Sequence, residues 1–67
     1  MSVARVTEVI SSSTTSFDDA IKAGVERATQ TLDNITSAWV QDQKCTISDG
    51  KIVEYRVALK ITFILKD

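Results

Sequence analysis

The chain contains no histidine and no proline, and only one cysteine and one tryptophan among its 67 residues. Each absence removes a class of chemistry. With no histidine, and with Cys45 as the one thiol, a single copy cannot assemble a zinc site of ordinary ligand composition. No serine or cysteine has a recognisable base to activate it, and the N-terminal proline of a small tautomerase is missing, so the chain is not expected to be an enzyme. One cysteine forms no intrachain disulfide. A lone thiol in a chain without an export signal points to a reducing, cytoplasmic compartment. Cys45 itself reads as a small, semi-buried strand residue, because no cationic cluster in the sequence argues for a redox role.

An excess of charge of either sign is also lacking. Eight Lys and Arg stand against nine Asp and Glu, for a net charge of -1 and a pI near 5.2. The basic residues are scattered, so neither nucleic acid nor an anionic membrane surface is expected as a partner. Long apolar runs are missing too. "MSVARVTEVI" interleaves its apolar residues with charge, Thr and Glu, and "VALKITFILKD" is broken by Lys60 and Thr62, which leaves neither a signal peptide nor a membrane span. Residues 1–67 read as one domain, and a domain this small buries only about 60% of its unfolded surface. With disulfide and metal unavailable as staples, self-association is the remaining common source of stability.

What is present reads as β-α-β-β. Residues Ala4 to Ile10 are rich in β-branched side chains, with Ala4, Val6 and Ile10 on one face and Val3, Arg5, Thr7 and Val9 on the other, which predicts a strand with two partly apolar sides. The stretch "SSSTTS" supplies a turn and an N-cap. Ser16 is placed to accept a hydrogen bond from a first-turn amide, Asp19 three residues on would complete an acidic capping box, and Asp18 and Asp19 suit the positive end of a helix dipole. From Phe17 the apolar positions Phe17, Ala20, Ile21, Gly24, Val25, Ala28, Leu32 and Ile35 step by three and four, which predicts an amphipathic helix closed at Asn34. Lys22, four residues from both Asp18 and Glu26, adds surface support. Gly24 and Ala28 in the apolar stripe allow a close approach to a sheet.

Thr36 to Ser48 reads as a second strand and "SDGK" as a hairpin turn, with Asp49-Gly50 its signature. In the third strand Val53, Tyr55, Val57, Leu59, Ile61, Phe63 and Leu65 alternate with Ile52, Glu54, Arg56, Ala58, Lys60, Thr62 and Ile64, giving one wholly apolar face and one mixed face. The apolar face is longer than one helix needs as cover. The fold class is therefore α+β, a three-stranded antiparallel sheet wrapped around one helix.

On three stretches, "SSTTSFDDAI" at the strand-to-helix passage, "VERATQTLDNI" along the helix and "EYRVALKITFIL" in the last strand, the sequence resembles the dodecins over nearly its whole length. The resemblance implies a hollow homododecamer of β-α-β-β subunits that commonly holds flavins (FMN, riboflavin or related). In flavin-binding members a Trp early in the second strand stacks on the isoalloxazine and a Gln early in the third strand bonds its polar edge. Laid over that pattern without gaps, this chain has Ser37 where the Trp stands and Arg56 where the Gln stands. Serine has no π-face, and loss of such stacking forfeits about 1–3 kcal/mol per ring by analogy with nucleobase platforms. Trp39 shares a strand face with Ser37, about 6.5–7 Å further along. On the hairpin pairing Arg56 belongs to the mixed face of the neighbouring strand. The resemblance makes Ser37 and Arg56 candidate cofactor-binding residues, and Trp39 joins them, with Trp39 and Arg56 together able to sandwich a flat ring or hold an anion.

The same departures are similar to a dodecin subgroup that lacks the flavin Trp, carries Arg at the Gln position and is associated with calcium. Asp42, Asp49 and Glu54 are candidate ligands only because calcium takes several oxygens. Two plainer readings stand beside these. Trp39 reads first as an anchor at a subunit interface, where Trp buries much area at little entropy cost, and second as a ligand platform. Arg56 reads equally as the partner of Glu54 or of a neighbouring subunit's acid.

Overall fold

A computed structural model describes residues 2–66. The element order is β1 (Ala4–Ser13), α1 (Phe17–Thr29), β2 (Ile35–Ser48) and β3 (Lys51–Ile64). The three strands form one antiparallel sheet in the order β1-β3-β2, with β3 in the centre and both outer strands paired to it. Helix α1 carries the chain from one edge of the sheet to the other across the inner face of β3.

The alternation in β3 settles where the core lies. Val57, Leu59 and Ile61 are fully buried, and Ala20 and Ala28 of α1 pack on them. Phe17, Ile21 and Val25 from the helix, with Val9, Leu32, Ile35 and Val40, are half-buried around this centre. Phe17 meets Tyr55 edge to face, ring centroids 5.1 Å apart. A helix of 13 residues spans about 20 Å at 1.5 Å per residue, whereas the 14 residues of β3 extend over about 46 Å. The helix therefore covers only the middle of the strand. Val53 and Leu65, at the ends of the same apolar row, are 45% and 43% exposed.

The start of α1 has the expected cap, with a different second bond. Ser16 Oγ accepts from the amide of Asp19 at 3.0 Å. The Asp19 carboxylate does not reach back to the Ser16 amide. It accepts from Ser13 Oγ at 2.7 Å, and Ser13 Oγ in turn accepts from the amides of Thr15 at 2.9 Å and Ser16 at 3.4 Å. Three serine and acid side chains thus clasp the end of β1 to the first turn of the helix. Lys22 makes no ion pair with Asp18 or Glu26 among the described residues.

The helix is shorter than its apolar period predicts. It stops at Thr29, its C-cap is Gln30, and Asn34 lies four residues beyond that cap with φ 61°. The cause is local. The hydroxyls of Thr29 and Thr31 bond the carbonyls of Glu26 and Ala28, at 2.6 and 3.4 Å, and the last amides tighten to short-range bonds such as Gln30 N to Arg27 O at 3.2 Å. Side chains that bond their own backbone compete with helix propagation. Leu32 and Ile35 keep the period because they still face the core, Leu32 from irregular chain and Ile35 from the first position of β2. Asn34 uses the left-handed conformation to begin β2, its carbonyl accepting from the amide of Ile64 at 3.0 Å.

Strands β2 and β3 meet in the expected two-residue turn. Ser48 pairs with Lys51, and Asp49 and Gly50 have φ of 52° and 75°, the two positive values that make the turn match the strand twist. Register shifts at Ile35/Ser37, Val40/Asp42 and Thr46/Ile47 interrupt the β2–β3 ladder. Such irregularities bend and twist the strand that carries them, which lets a long sheet curl around a short helix. β1 runs to Ser13, three residues past the expected end, because Ser11, Ser12 and Ser13 pair with Val57, Arg56 and Tyr55.

Gly24 is a point of close helix-to-sheet approach. A Cβ there would lie 2.9 Å from Leu59 Cδ1 and 3.0 Å from Ser11 Cβ. Gly24→Val is expected to lose about 1–3 kcal/mol through overpacking, read as a lower denaturation midpoint at fixed protein concentration. A wild-type midpoint would mean that α1 sits further from β3.

Candidate functional site

The candidate site lies on the face of the sheet opposite the helix. Strand register sets it out as a grid. Glu8, Lys60 and Trp39 form one row across β1, β3 and β2, Ile10, Ala58 and Asp42 form the next, and Ser12, Arg56 and Lys44 form a third. Val6, Thr62 and Ser37 lie one row beyond Glu8. This face is more apolar than open water favours: Val6, Ile10 and Trp39 are 54%, 66% and 62% exposed. The sheet has an open depression of about 380 Å³ here, lined by residues that include Glu8, Ile10, Asp42, Lys44, Arg56 and Ala58.

Of the three predicted cofactor-binding residues, Ser37 and Trp39 share this face in adjacent rows, and both are exposed. Arg56 shares the face but does not sit beside Trp39. The residue opposite Trp39 is Lys60, and Arg56 is four positions from Lys60 along β3, about 13 Å away at the rise of a strand. The guanidinium is also engaged, since Nη2 donates to Glu54 Oε1 at 2.8 Å. The expected Trp39–Arg56 sandwich is therefore not formed within one chain. Lys60 supplies the cation instead, with Nζ 5.4 Å from the Trp39 ring centroid.

Lys60 is the functional candidate that sequence reasoning missed. The signal was available: counting residue by residue back from the Asp49-Gly50 turn places Lys60 opposite Trp39. The shifts at Thr46/Ile47 and Val40/Asp42 offset each other, so the simple count holds at Trp39.

The candidate calcium ligands do not converge either. Asp42 faces Ala58, Asp49 is at the hairpin tip and Glu54 is held by Arg56. Among the described residues no group of three or more carboxylate, Cys or His side chains is placed to hold a metal ion. The described residues of a single chain thus do not by themselves fit calcium. Cys45 is a free, half-buried thiol opposite Tyr55. No helix of the described residues is long and apolar enough to cross a membrane.

A curved antiparallel sheet in β-α-β-β order around one helix, with its aromatic and charged face turned away from that helix, defines a small α+β class of fold. The dodecin family model matches residues 3–66. The chain is similar to the calcium dodecin of Mycobacterium tuberculosis, 32% identical over 66 residues, covering 98% of this chain and 93% of that protein. Among solved structures it is similar to the dodecin from Streptomyces davaonensis, with a TM-score of 0.93 at 33% identity covering 98% and 97% of the two chains. The crystal structure of the Mycobacterium calcium dodecin, described as calcium chelating, gives a TM-score of 0.83 at 34% identity with 96% and 91% covered. The chain belongs to the dodecin family.

The Arg56–Glu54 pair is half-exposed, with side chains 45% and 31% accessible, so its contribution is small. A double-mutant cycle of Arg56→Gln and Glu54→Gln is expected to give a coupling of less than about 1 kcal/mol in chemical denaturation. A coupling well above that would mean the pair is a buried structural element.

Proposed function

We propose that the chain is a non-enzymatic subunit of a hollow homododecameric shell that binds, stores or sequesters a small flavin-type molecule. The observation that carries this is the outer sheet face. Val6, Ile10 and Trp39 expose apolar surface that water does not favour, and identical copies offer cover for it. Family membership and a site without an acid-base constellation support binding rather than chemistry. For a flat ring the residues present offer Trp39 as a stacking surface, Lys60 as the cation beside it and the Ser37 hydroxyl one row away. Ser37 and Arg56 stand where flavin-binding members have Trp and Gln, so any ring would be held in a shifted position. Arg56 joins such a site only through a second copy.

A second reading is a flavin-free, calcium-stabilised assembly, favoured by the likeness to the Mycobacterium calcium dodecin. Since the described residues of one chain do not bring three carboxylates together, an ion on this reading is shared between copies.

Three measurements separate these readings. Sedimentation is expected to show a dodecameric particle; a folded monomer at working concentration would sink the shell. Micromolar FMN or riboflavin is expected to quench Trp39 fluorescence, and unchanged emission removes the flavin reading. On the calcium reading a chelator dissociates the particle, so survival in chelator with no bound metal removes that reading.

A further inference from the structure

The row of Glu8, Lys60 and Trp39 places a cation between an acid and an aromatic ring, and the cation takes the ring. Lys60 has the Glu8 carboxylate beside it on β1 and the Trp39 indole beside it on β2. Its ammonium lies over the indole, with Nζ 5.4 Å from the ring centroid, and makes no salt bridge with Glu8 or any other acid among the described residues. The aliphatic stem of Lys60 leaves the residue half-buried, while the indole beneath its head is 62% exposed. An exposed cation–π contact is a weak partner for a full charge, and an ammonium exchanges it for a carboxylate or other anion at a gain.

We propose that Lys60 makes the Trp39 face selective for a flat ring whose own edge carries negative charge, as a ring carboxylate or an ionised ring nitrogen or oxygen, over a neutral ring of the same size. This rests on the ring-binding reading above and names the class of ligand that the site takes. The charge concerned is on the ring, not on a phosphate tail.

The surroundings of Trp39 set the orientation. A ring stacked on the indole displaces the ammonium towards the strand that carries it, so the charged edge faces β3. Asp42 stands in the next row of β2, about 6.7 Å along the strand, and repels a negative edge turned that way. On the other side Ser37 and Thr62 offer only hydroxyls. Glu8 lies beyond Lys60, two strand spacings or about 9–10 Å from Trp39. Lys44 and Arg56 share a row two steps from Trp39, and Arg56 is bonded to Glu54. Lys60 is therefore the cation within reach of a ring edge at Trp39, and Asp42 penalises the reversed placement.

The single tryptophan gives the test its reporter. Incorporated as 5-fluorotryptophan it yields one fluorine signal, whose shift during titration of the assembled protein reads occupancy of the Trp39 face. 2-Naphthoate and 2-naphthamide are flat probes of nearly equal size that differ in charge at the ring edge. At neutral pH and low salt 2-naphthoate is expected to bind about fivefold tighter, the scale of an exposed charge pair. In about 1 M salt, which screens charge beyond roughly 3 Å, the preference is expected to fall below about twofold. Lys60→Gln is expected to abolish it by weakening 2-naphthoate and not 2-naphthamide, and Lys60→Arg to retain it. Lys22→Gln removes an equal charge from the helix and is expected to leave it unchanged. Riboflavin and FMN share one uncharged ring, so Lys60→Gln is expected to change their affinities by the same factor. A loss confined to FMN would assign Lys60 to the phosphate and overturn the proposal. Equal binding of the two naphthalenes, no binding of either while riboflavin still shifts the signal, or a preference that survives Lys60→Gln also overturns it; riboflavin binding then leaves the ring-binding reading in place. No shift with riboflavin or either naphthalene removes both. The salt series uses the unaltered side chains of Lys60 and its neighbours, so it decides the matter even where Lys60→Gln fails to assemble.

Discussion

The rest of the structure depends on the mismatch between a short helix and a long central strand. Val57, Leu59 and Ile61 are buried because α1 lies directly over them, and α1 lies that close because the residues it presents are Ala20, Gly24 and Ala28. Burial of a Val, Leu or Ile side chain is worth about 1.5–3 kcal/mol, so three such residues and the partly covered ring around them give a small domain little margin. Everything β3 extends beyond the helix is left with one face or both open. Val53 and Leu65 belong to the same apolar row as the core and are exposed for want of a further turn of helix, not for want of hydrophobicity.

From that mismatch follows the division of labour between the two sheet faces. The inner face spends its apolar residues on α1. The outer face has no element of its own chain to meet, yet it still carries Val6, Ile10 and Trp39. Covering a ring as large as Trp39 contributes on the order of 2 kcal/mol, more than any exposed ion pair nearby. On the self-assembly reading, apolar area therefore supplies affinity, whereas the charged residues of the same face decide orientation by what they forbid.

Much of this was legible in the sequence, and the boundary of legibility is physical. Strict alternation from Val53 to Leu65, the Asp49-Gly50 turn and the Ser16 cap each act over a few residues, and each forms as expected. The helix end was not legible from periodicity, because Leu32 and Ile35 satisfy the same apolar stripe from outside the helix while Thr29 and Thr31 divert their hydroxyls to backbone carbonyls. The site was legible as a set of residues sharing a face and not as a set of contacts. Trp39 and Arg56 are on one side of the sheet, but contact depends on row, and the row opposite Trp39 belongs to Lys60.

That exchange of Arg56 for Lys60 bears on what a ligand at Trp39 would have to be. An aromatic ring at position 37 would lie in the row of Thr62 and Val6, free of any cation; one at position 39 lies under an ammonium group. An exposed cation–π contact contributes about 0.5–1 kcal/mol, less than the roughly 1–3 kcal/mol of a stacked ring, so a flat ligand can take the Trp39 face and turn Lys60 towards its own edge. The exchange gains most when that edge carries negative charge, because the displaced ammonium then exchanges a weak partner for a strong one. Arg56 does not play this part within one chain, because it lies two rows from Trp39. On the proposed flavin reading, the altered positions thus move the ring along the strand and change the charge it meets, from neutral hydroxyl and amide groups to the Lys60 ammonium, which stands in the same row as the acid Glu8.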